Sequence, residues 1–394
     1  MSFPEPEILT NLVSRVFRIE DVTTGDPQKG WYARYRGYLI MEDSAAAYDL
    51  LADSLKPYGL MPLFRKEGQL QLVFIVPALP EVKKRAPVLN IILFILTVLS
   101  VMLAGATPEG PLPTDFSGQM LALFKSIFTG WPFALALMGI LLAHEFGHYL
   151  MSRYHKTAAT LPFFIPLPFS PLGTMGAFIQ MQTIPKNKRI LFDIGVAGPL
   201  AGMVVALPVL LLGLSLSKLG PVVADPNGFI EGNSLLYLIA KFAVFGKLLP
   251  APATTNGMSI FVYWLRYFFT GAPLPIGGTD VFIHPVAFAG WAGLLVTALN
   301  LVPAGTLDGG HITYSLFGAN VRKAFPFLVA ILAVLGIFWN GWWIWVLLLL
   351  WLGRVYAEPL DQITELDPRR RALGWFAIVL FILVFTPVPM VLLG

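Results

Sequence analysis

Apolar residues run through this chain in blocks of about bilayer length, separated by polar stretches in which basic residues gather. The first block, 88–106, follows Lys83, Lys84 and Arg85. The second, 131–154, ends against Arg153, His155 and Lys156, and the third, 190–216, opens after Lys186, Lys188 and Arg189. A fourth covers 281–302. Residues 324–339 and 342–352 predict a helical hairpin turning at Asn340-Gly341, and a last block, 372–392, follows Arg369, Arg370 and Arg371. Basic clusters on one side of the membrane give seven spans, with the N-terminus inside and the C-terminus outside. Between the third and fourth blocks, residues 217–281 hold only short apolar runs, edged by Lys241, Lys247 and Arg266. They predict interfacial helices on the outer side or a re-entrant pair.

Residues 1–82 follow a different rhythm. Residues 31–40 have strand character, and Asp43 or Ser44 caps a helix to about Lys56, with Ala47, Leu51 and Leu55 on one face and Pro57 and Gly59 ending it. Residues 60–65 and 69–76 flank Lys66-Glu67-Gly68 as a hairpin, with Gln69, Gln71 and Val73 alternating against Leu70, Leu72 and Phe74. The expected architecture is a polytopic α-helical membrane protein of about seven spans with a small N-terminal α/β soluble domain. Its parts are a cytoplasmic accessory domain (1–82), a membrane core (83–320) with an insertion at 217–281, and C-terminal transmembrane helices (321–394).

Composition agrees: 56% of residues are hydrophobic and 13% charged, where soluble proteins carry about 25% charged. Mean hydropathy is +0.71. The net charge of +4 sits beside the apolar blocks, which fits membrane topology and excludes a nucleic-acid surface. There is no cysteine, so a metal must use the five histidines and the carboxylates. The start, MSFPEPEIL, is neither a secretory signal nor transit-like, which points to a bacterial plasma membrane. Nothing in the sequence sets the oligomeric state.

The second block contains His144-Glu145-Phe146-Gly147-His148, an H-E-x-x-H pattern. Residues four apart share a helix face, so both imidazoles reach one ion, and Glu145 lies one step round. Zn²⁺ there would lower the pKa of a water toward about 7, and Glu145 would take its proton. Charged groups inside a span cost about 2.5–3.5 kcal/mol on insertion scales and mark function. A third ligand must share their depth, roughly 10 Å from the cytoplasmic end. Asp308 does, and Gly305, Gly309 and Gly310 let the backbone bend around it. Asp193 is the competitor, with an ion pair to Arg189 as its simpler explanation. Asp280, His155 and His284 lie at the wrong depth.

His144-Glu145-x-x-His148, Asn300-x-x-Pro303 and Leu307-Asp308-Gly309 together resemble the site-2 protease family of intramembrane zinc metalloproteases, as does Asp193-Ile-Gly-Val-Ala-Gly-Pro-Leu-Ala-Gly202. The likeness is to the branch lacking a PDZ domain, with bacterial and chloroplast members carrying an N-terminal soluble domain. It implies that His144, His148 and Asp308 bind zinc and that Glu145 is the general base. It also implies regulated cleavage of transmembrane protein substrates near the cytoplasmic face. The segment 217–281 and the helices after Val321 depart from the family's minimal core.

Other features have two readings each. Residues 174–183 predict a strand whose free edge, around Ile179, Gln180 and Met181, holds an extended substrate, or an amphipathic loop on the membrane surface. Asn300 donates to a developing oxyanion or joins two helices. His311 supports Asp308 or is an interfacial polar residue. Gly198-Pro-Leu-Ala-Gly202 reads as close helix packing. The rival functional classes are a transporter with a buried His–Glu–Asp site and an inactive scaffold; a transporter predicts paired repeats, and the chain has none.

Overall fold

The computed structural model describes residues 5–25, 30–80, 86–108, 110, 113, 115–226 and 228–393. Lys83, Lys84 and Arg85, the cluster expected to orient the first span, lie outside the described residues.

The N-terminal part contains α1 (Pro6–Ser14), β1 (Phe17–Thr24), β2 (Ala33–Leu39), α2 (Ser44–Leu55), β3 (Leu60–Glu67) and β4 (Leu70–Pro77). Its antiparallel sheet has the order β1-β2-β4-β3. The Asp43 carboxylate caps α2 by accepting from Ala45 N–H, and Gly59, at φ 67°, turns the chain out of the helix. Val13, Phe17, Tyr35, Leu51, Leu55, Phe64 and Val73 are fully or almost fully buried between helices and sheet. The sequence reading did not anticipate α1 and β1. Arg18, Glu20 and Asp21 interrupt the strand pattern of β1, as suits an edge strand that must not pair further.

The opposite edge, β3, is covered by residues 360–362. Phe64 N–H donates to Leu360 C=O at 3.0 Å, and Gln362 N–H donates to Phe64 C=O at 3.1 Å. On its other side the same short segment meets residues 185–187: Leu360 N–H reaches Pro185 C=O at 3.0 Å and Asp361 N–H reaches Lys186 C=O at 2.7 Å. Leu360 and Ile363 also pack on the N-terminal core. The Asp361 carboxylate is fully buried. Burial raises its pKa above the usual range, against bonds from Thr364 and Ile363 that lower it. Residues 360–362 thus act as a strap between the N-terminal sheet and the approach to the third apolar block.

The helical part follows: α3 (Val88–Ala104), α4 (Phe116–Lys125), α5 (Trp131–Tyr154), the hairpin β5 (Phe163–Pro166) and β6 (Thr174–Phe178), and α6 (Lys188–Ser215). Next come β7 (Lys218–Pro221), β8 (Phe229–Glu231), α7 (Leu235–Phe245), α8 (Ile260–Thr270), β9 (Thr279–Phe282) and α9 (Pro285–Asn300). The chain ends with α10 (Asp308–Phe317), α11 (Phe325–Leu335), α12 (Gly341–Leu352), α13 (Pro368–Val384) and β10 (Met390–Leu392). Phe133, Leu137, Leu141, Phe192, Leu210, Trp291 and Leu294 knit α5, α6 and α9 into the central core.

Every expected apolar block contains a helix, but seven crossings are not established. Among the described residues, 127–154 and 188–215 are long and apolar enough to span, and a third span arises if the helices at 308–323 and 325–335, bent by 83°, count as one. At 11 and 12 residues, α11 and α12 reach only about 16–18 Å at 1.5 Å per residue, short of a hydrocarbon core of about 30 Å. The last block also differs: α13 stops at Val384, and β10 pairs antiparallel with β8. Pro387 and Pro389 lack the N–H groups that would continue the helix. Within 217–281 the expected short helices are present as α7 and α8, but the β7–β9 pair closes the two ends of the segment on each other and the β8–β10 pair ties it to the C-terminal strand.

Candidate metal centre

α5 carries His144, Glu145 and His148 on its buried side, 3–5% exposed. After α9 the chain turns through Leu301–Leu307, with Gly305 at φ 53°, and Asp308 opens α10. A carboxylate in the first turn of a helix faces unpaired N–H groups and the positive end of the dipole. The turn brings Asp308 against the histidine pair. His144 Nε2 lies 3.3 Å from Asp308 Oδ2, His148 Nε2 lies 3.2 Å from the same oxygen, and the two nitrogens are 3.2 Å apart. With metal–ligand bonds of about 2.0–2.1 Å, a tetrahedral zinc ion needs donor–donor edges of roughly 3.3–3.4 Å. The three donors are thus spaced to share one ion.

A second observation concerns the proton on His148. Its Nδ1 lies 2.7 Å from the Ile194 carbonyl oxygen of α6, which accepts only an N–H. Nδ1 therefore carries the proton and Nε2 keeps its lone pair for a metal. The α6 backbone comes this close because residue 198 is glycine: a Cβ there would lie 2.0 Å from His148 Nε2. The packing role read from the sequence understates Gly198, which borders a donor atom directly. The spacing of small residues was the available signal, but not the atom they face.

These groups line a cavity of about 450 Å³ that also takes in Ile179, Gln180, Met181, Asn300, His311 and Ala357. The Glu145 carboxylate makes no hydrogen bond to the described residues. Asn300 Nδ2 lies 3.3 Å from His144 Nε2. His311 sits one turn after Asp308, but no hydrogen bond joins them, and its Nδ1 has no partner among the described residues. Past β6 the chain stays extended: Thr160 N–H donates to Gln180 C=O, and Gln182 N–H donates to Ala158 C=O. Alternation turns the backbone groups of Ile179 and Met181 the other way.

Asp193 is not a ligand, and its partner is not Arg189. Its carboxylate accepts from Arg370 Nε at 2.7 Å and Nη2 at 2.6 Å, and pairs with His155 Nε2 at 2.9 Å. This ties the ends of α5, α6 and α13 together. Arg189 turns to Asp43 and to the Glu365 carbonyl. His284 caps α9 through Val286 N–H, and Asp280 lies in a separate cluster. Asp193→Asn is expected to lower stability by about 2 kcal/mol, the loss of a charged hydrogen-bond acceptor. Thermal unfolding of the purified chain measures this, and an unchanged midpoint would remove the tie.

Two histidines and an aspartate spaced to hold one metal ion, beside an unengaged carboxylate and among helices of which two are long and apolar enough to cross a membrane, make a candidate metal centre of an integral membrane protein. Residues 132–338, just over half the chain, match the model of peptidase family M50. The chain belongs to that family, the site-2 proteases. It is 31% identical over 319 residues to "Probable zinc metalloprotease EGY1, chloroplastic" of Arabidopsis thaliana, covering 76% of this chain and 53% of the relative. The protein of the same name in Oryza sativa subsp. japonica is 30% identical, over 77% of this chain and 50% of its own. "Probable zinc metalloprotease EGY2, chloroplastic" of Arabidopsis thaliana is 28% identical over 67% of this chain and 43% of its own. The chain thus spans about half the length of these relatives. Their chloroplastic names give no support to the expected bacterial plasma membrane. No solved structure matches this chain.

Proposed function

We propose that this chain is a zinc-dependent intramembrane endopeptidase that cuts transmembrane protein substrates near the cytoplasmic face, where its N-terminal domain also lies. The observation that carries this reading is the meeting of three donors at zinc spacing with Glu145 in one cavity. Zinc, when bound by His144, His148 and Asp308, supplies Lewis acidity toward water and the peptide carbonyl. Glu145 accepts the proton of the attacking water and passes it to the leaving amine. The Asn300 amide donates to the carbonyl oxygen as charge develops there. Peptide bonds in a helix are shielded, so the substrate must be held unwound. The outward backbone groups of Ile179 and Met181 pair with it as an added strand, beside the metal ligands in the same cavity.

Proline at Ile179 or Met181 removes one donor from that edge and is expected to slow cleavage about tenfold without loss of bound metal. Unchanged cleavage by both variants would remove the strand-pairing role. The reading as a whole is tested by incubating the full chain in lipid nanodiscs with a single-span membrane substrate. Cleavage that stops with a zinc chelator and returns with added zinc supports a peptidase. Intact substrate under all conditions, together with metal-dependent ion flux in proteoliposomes, would replace it with the transporter reading.

A further inference from the structure

A second cavity, of about 610 Å³, lies at the ends of α3, α5 and α9 away from the metal ligands. Phe133 on its wall precedes His144 by about 16 Å along α5. Its character differs from that of the catalytic cavity. Phe133 and Phe288 stack at 5.6 Å on one side, with Phe229 against Phe288, and Val222 adds apolar surface. Glu231 and Asp280 are among its lining residues, although they are only 4% and 5% exposed.

One lysine faces both. Lys241, fully buried and outside the lining, sits 4.0 Å from Glu231 Oε1 and 3.6 Å from Asp280 Oδ1, with its ammonium 4.5 Å from the centre of the Tyr237 ring. Glu231 Oε1 also accepts from Tyr237 Oη at 2.7 Å, and Asp280 Oδ1 from Val281 N–H at 2.8 Å. Asp280 Oδ2 has no partner among the described residues. Burial pushes the Glu231 carboxyl up to about 7, so Lys241 chiefly balances Asp280, whose Oδ2 still lacks a donor among the described residues beside an aromatic wall. An unpaired buried carboxylate oxygen calls for a donor, and aromatic faces attract cations. A metal ion is the poorer fit: among the described residues the one group of three ligands close enough to share an ion is the catalytic one. The volume suits a small organic ligand or one large side chain.

We propose that this cavity binds an organic cation, an ammonium or guanidinium on an apolar body, held by Asp280 against Phe133 and Phe288. The cation comes either from a basic side chain of a membrane protein or from a free amphiphilic amine. Binding at this site does not depend on the metal centre or on peptidase activity. The test is calorimetric titration of the full, metal-loaded chain in detergent with 4-phenylbutylguanidine, using uncharged 4-phenylbutanol as control. One guanidine per chain is expected, bound at least about tenfold more tightly than the alcohol, and equally well after chelation of the metal. Asp280→Asn is expected to weaken it about tenfold or more. Should that variant misfold, Val223→Trp fills the mouth from an exposed lining position and blocks binding with no change in unfolding midpoint. Equal binding of guanidine and alcohol, or full affinity in a folded variant of either kind, would overturn the proposal. Displacement of the guanidine by an apolar helical peptide with one terminal arginine, and not by its glutamine form, assigns the site to a protein side chain. Retained guanidine binding without such displacement assigns it to a free amine.

Discussion

Glu145→Gln leaves the chain folded and its metal bound but slows peptide cleavage by about 10²–10⁴-fold, the usual contribution of a positioned acid–base group. The two side chains have the same shape. Glu145 is 4% exposed and makes no hydrogen bond to the described residues, so the exchange strands no partner. The three donor atoms lie on other residues, so metal content is untouched. What disappears is a carboxylate able to take a proton at neutral pH, because an amide has no such basicity. The measurement pairs metal analysis by mass spectrometry with cleavage of a single-span substrate. Wild-type cleavage by this variant would sink the mechanism; lost metal would mean that Glu145 supports the ligands instead.

The second large effect is expected from one methyl group. In Gly198→Ala the new Cβ would stand 2.0 Å from His148 Nε2 and 2.4 Å from Cδ2 and Cε1. The ring cannot simply move aside, because its Nδ1 is fixed on Ile194 C=O one turn earlier in the same helix. Either the ring turns and Nε2 leaves the other two donors, or α6 backs away from α5. Metal affinity should fall by about 10–100-fold, as when the outer partners of metal ligands are changed, and activity with it. Alanine is the better helix former by about 0.8–1.0 kcal/mol, so intrinsic helix propensity would not account for the loss. Gly139→Ala, on α5 with open space around its Cβ, serves as the neutral comparison. Full zinc occupancy in Gly198→Ala would contradict the close approach.

Local spacing made part of this molecule legible. The four-residue interval of His144 and His148 placed both rings on one helix face, and matching depth selected Asp308 over Asp193 and Asp280. The elements α2, β3 and β4 followed from capping residues and alternation. What the sequence withheld involves partners distant along the chain. Asp193 meets Arg370, and Phe64 meets Leu360, across separations that leave no periodic trace. The charges of β1 mark an edge and hide a strand. Apolar content alone extended the last block through Pro387 and Pro389, where the backbone requires a different conformation.

The strap at 360–362 bears on modularity. It reaches the β3 edge and residues 185–187 from opposite sides, and Asn187 then caps α6, the helix whose Ile194 carbonyl accepts from His148 of α5. The N-terminal domain is thereby grafted onto the membrane part through backbone pairing, in addition to the chain connection at residues 78–88. Exchange for an unrelated domain would require a newcomer with an open strand edge of the same reach. Swapping at the level of whole modules is therefore restricted to domains that offer such an edge.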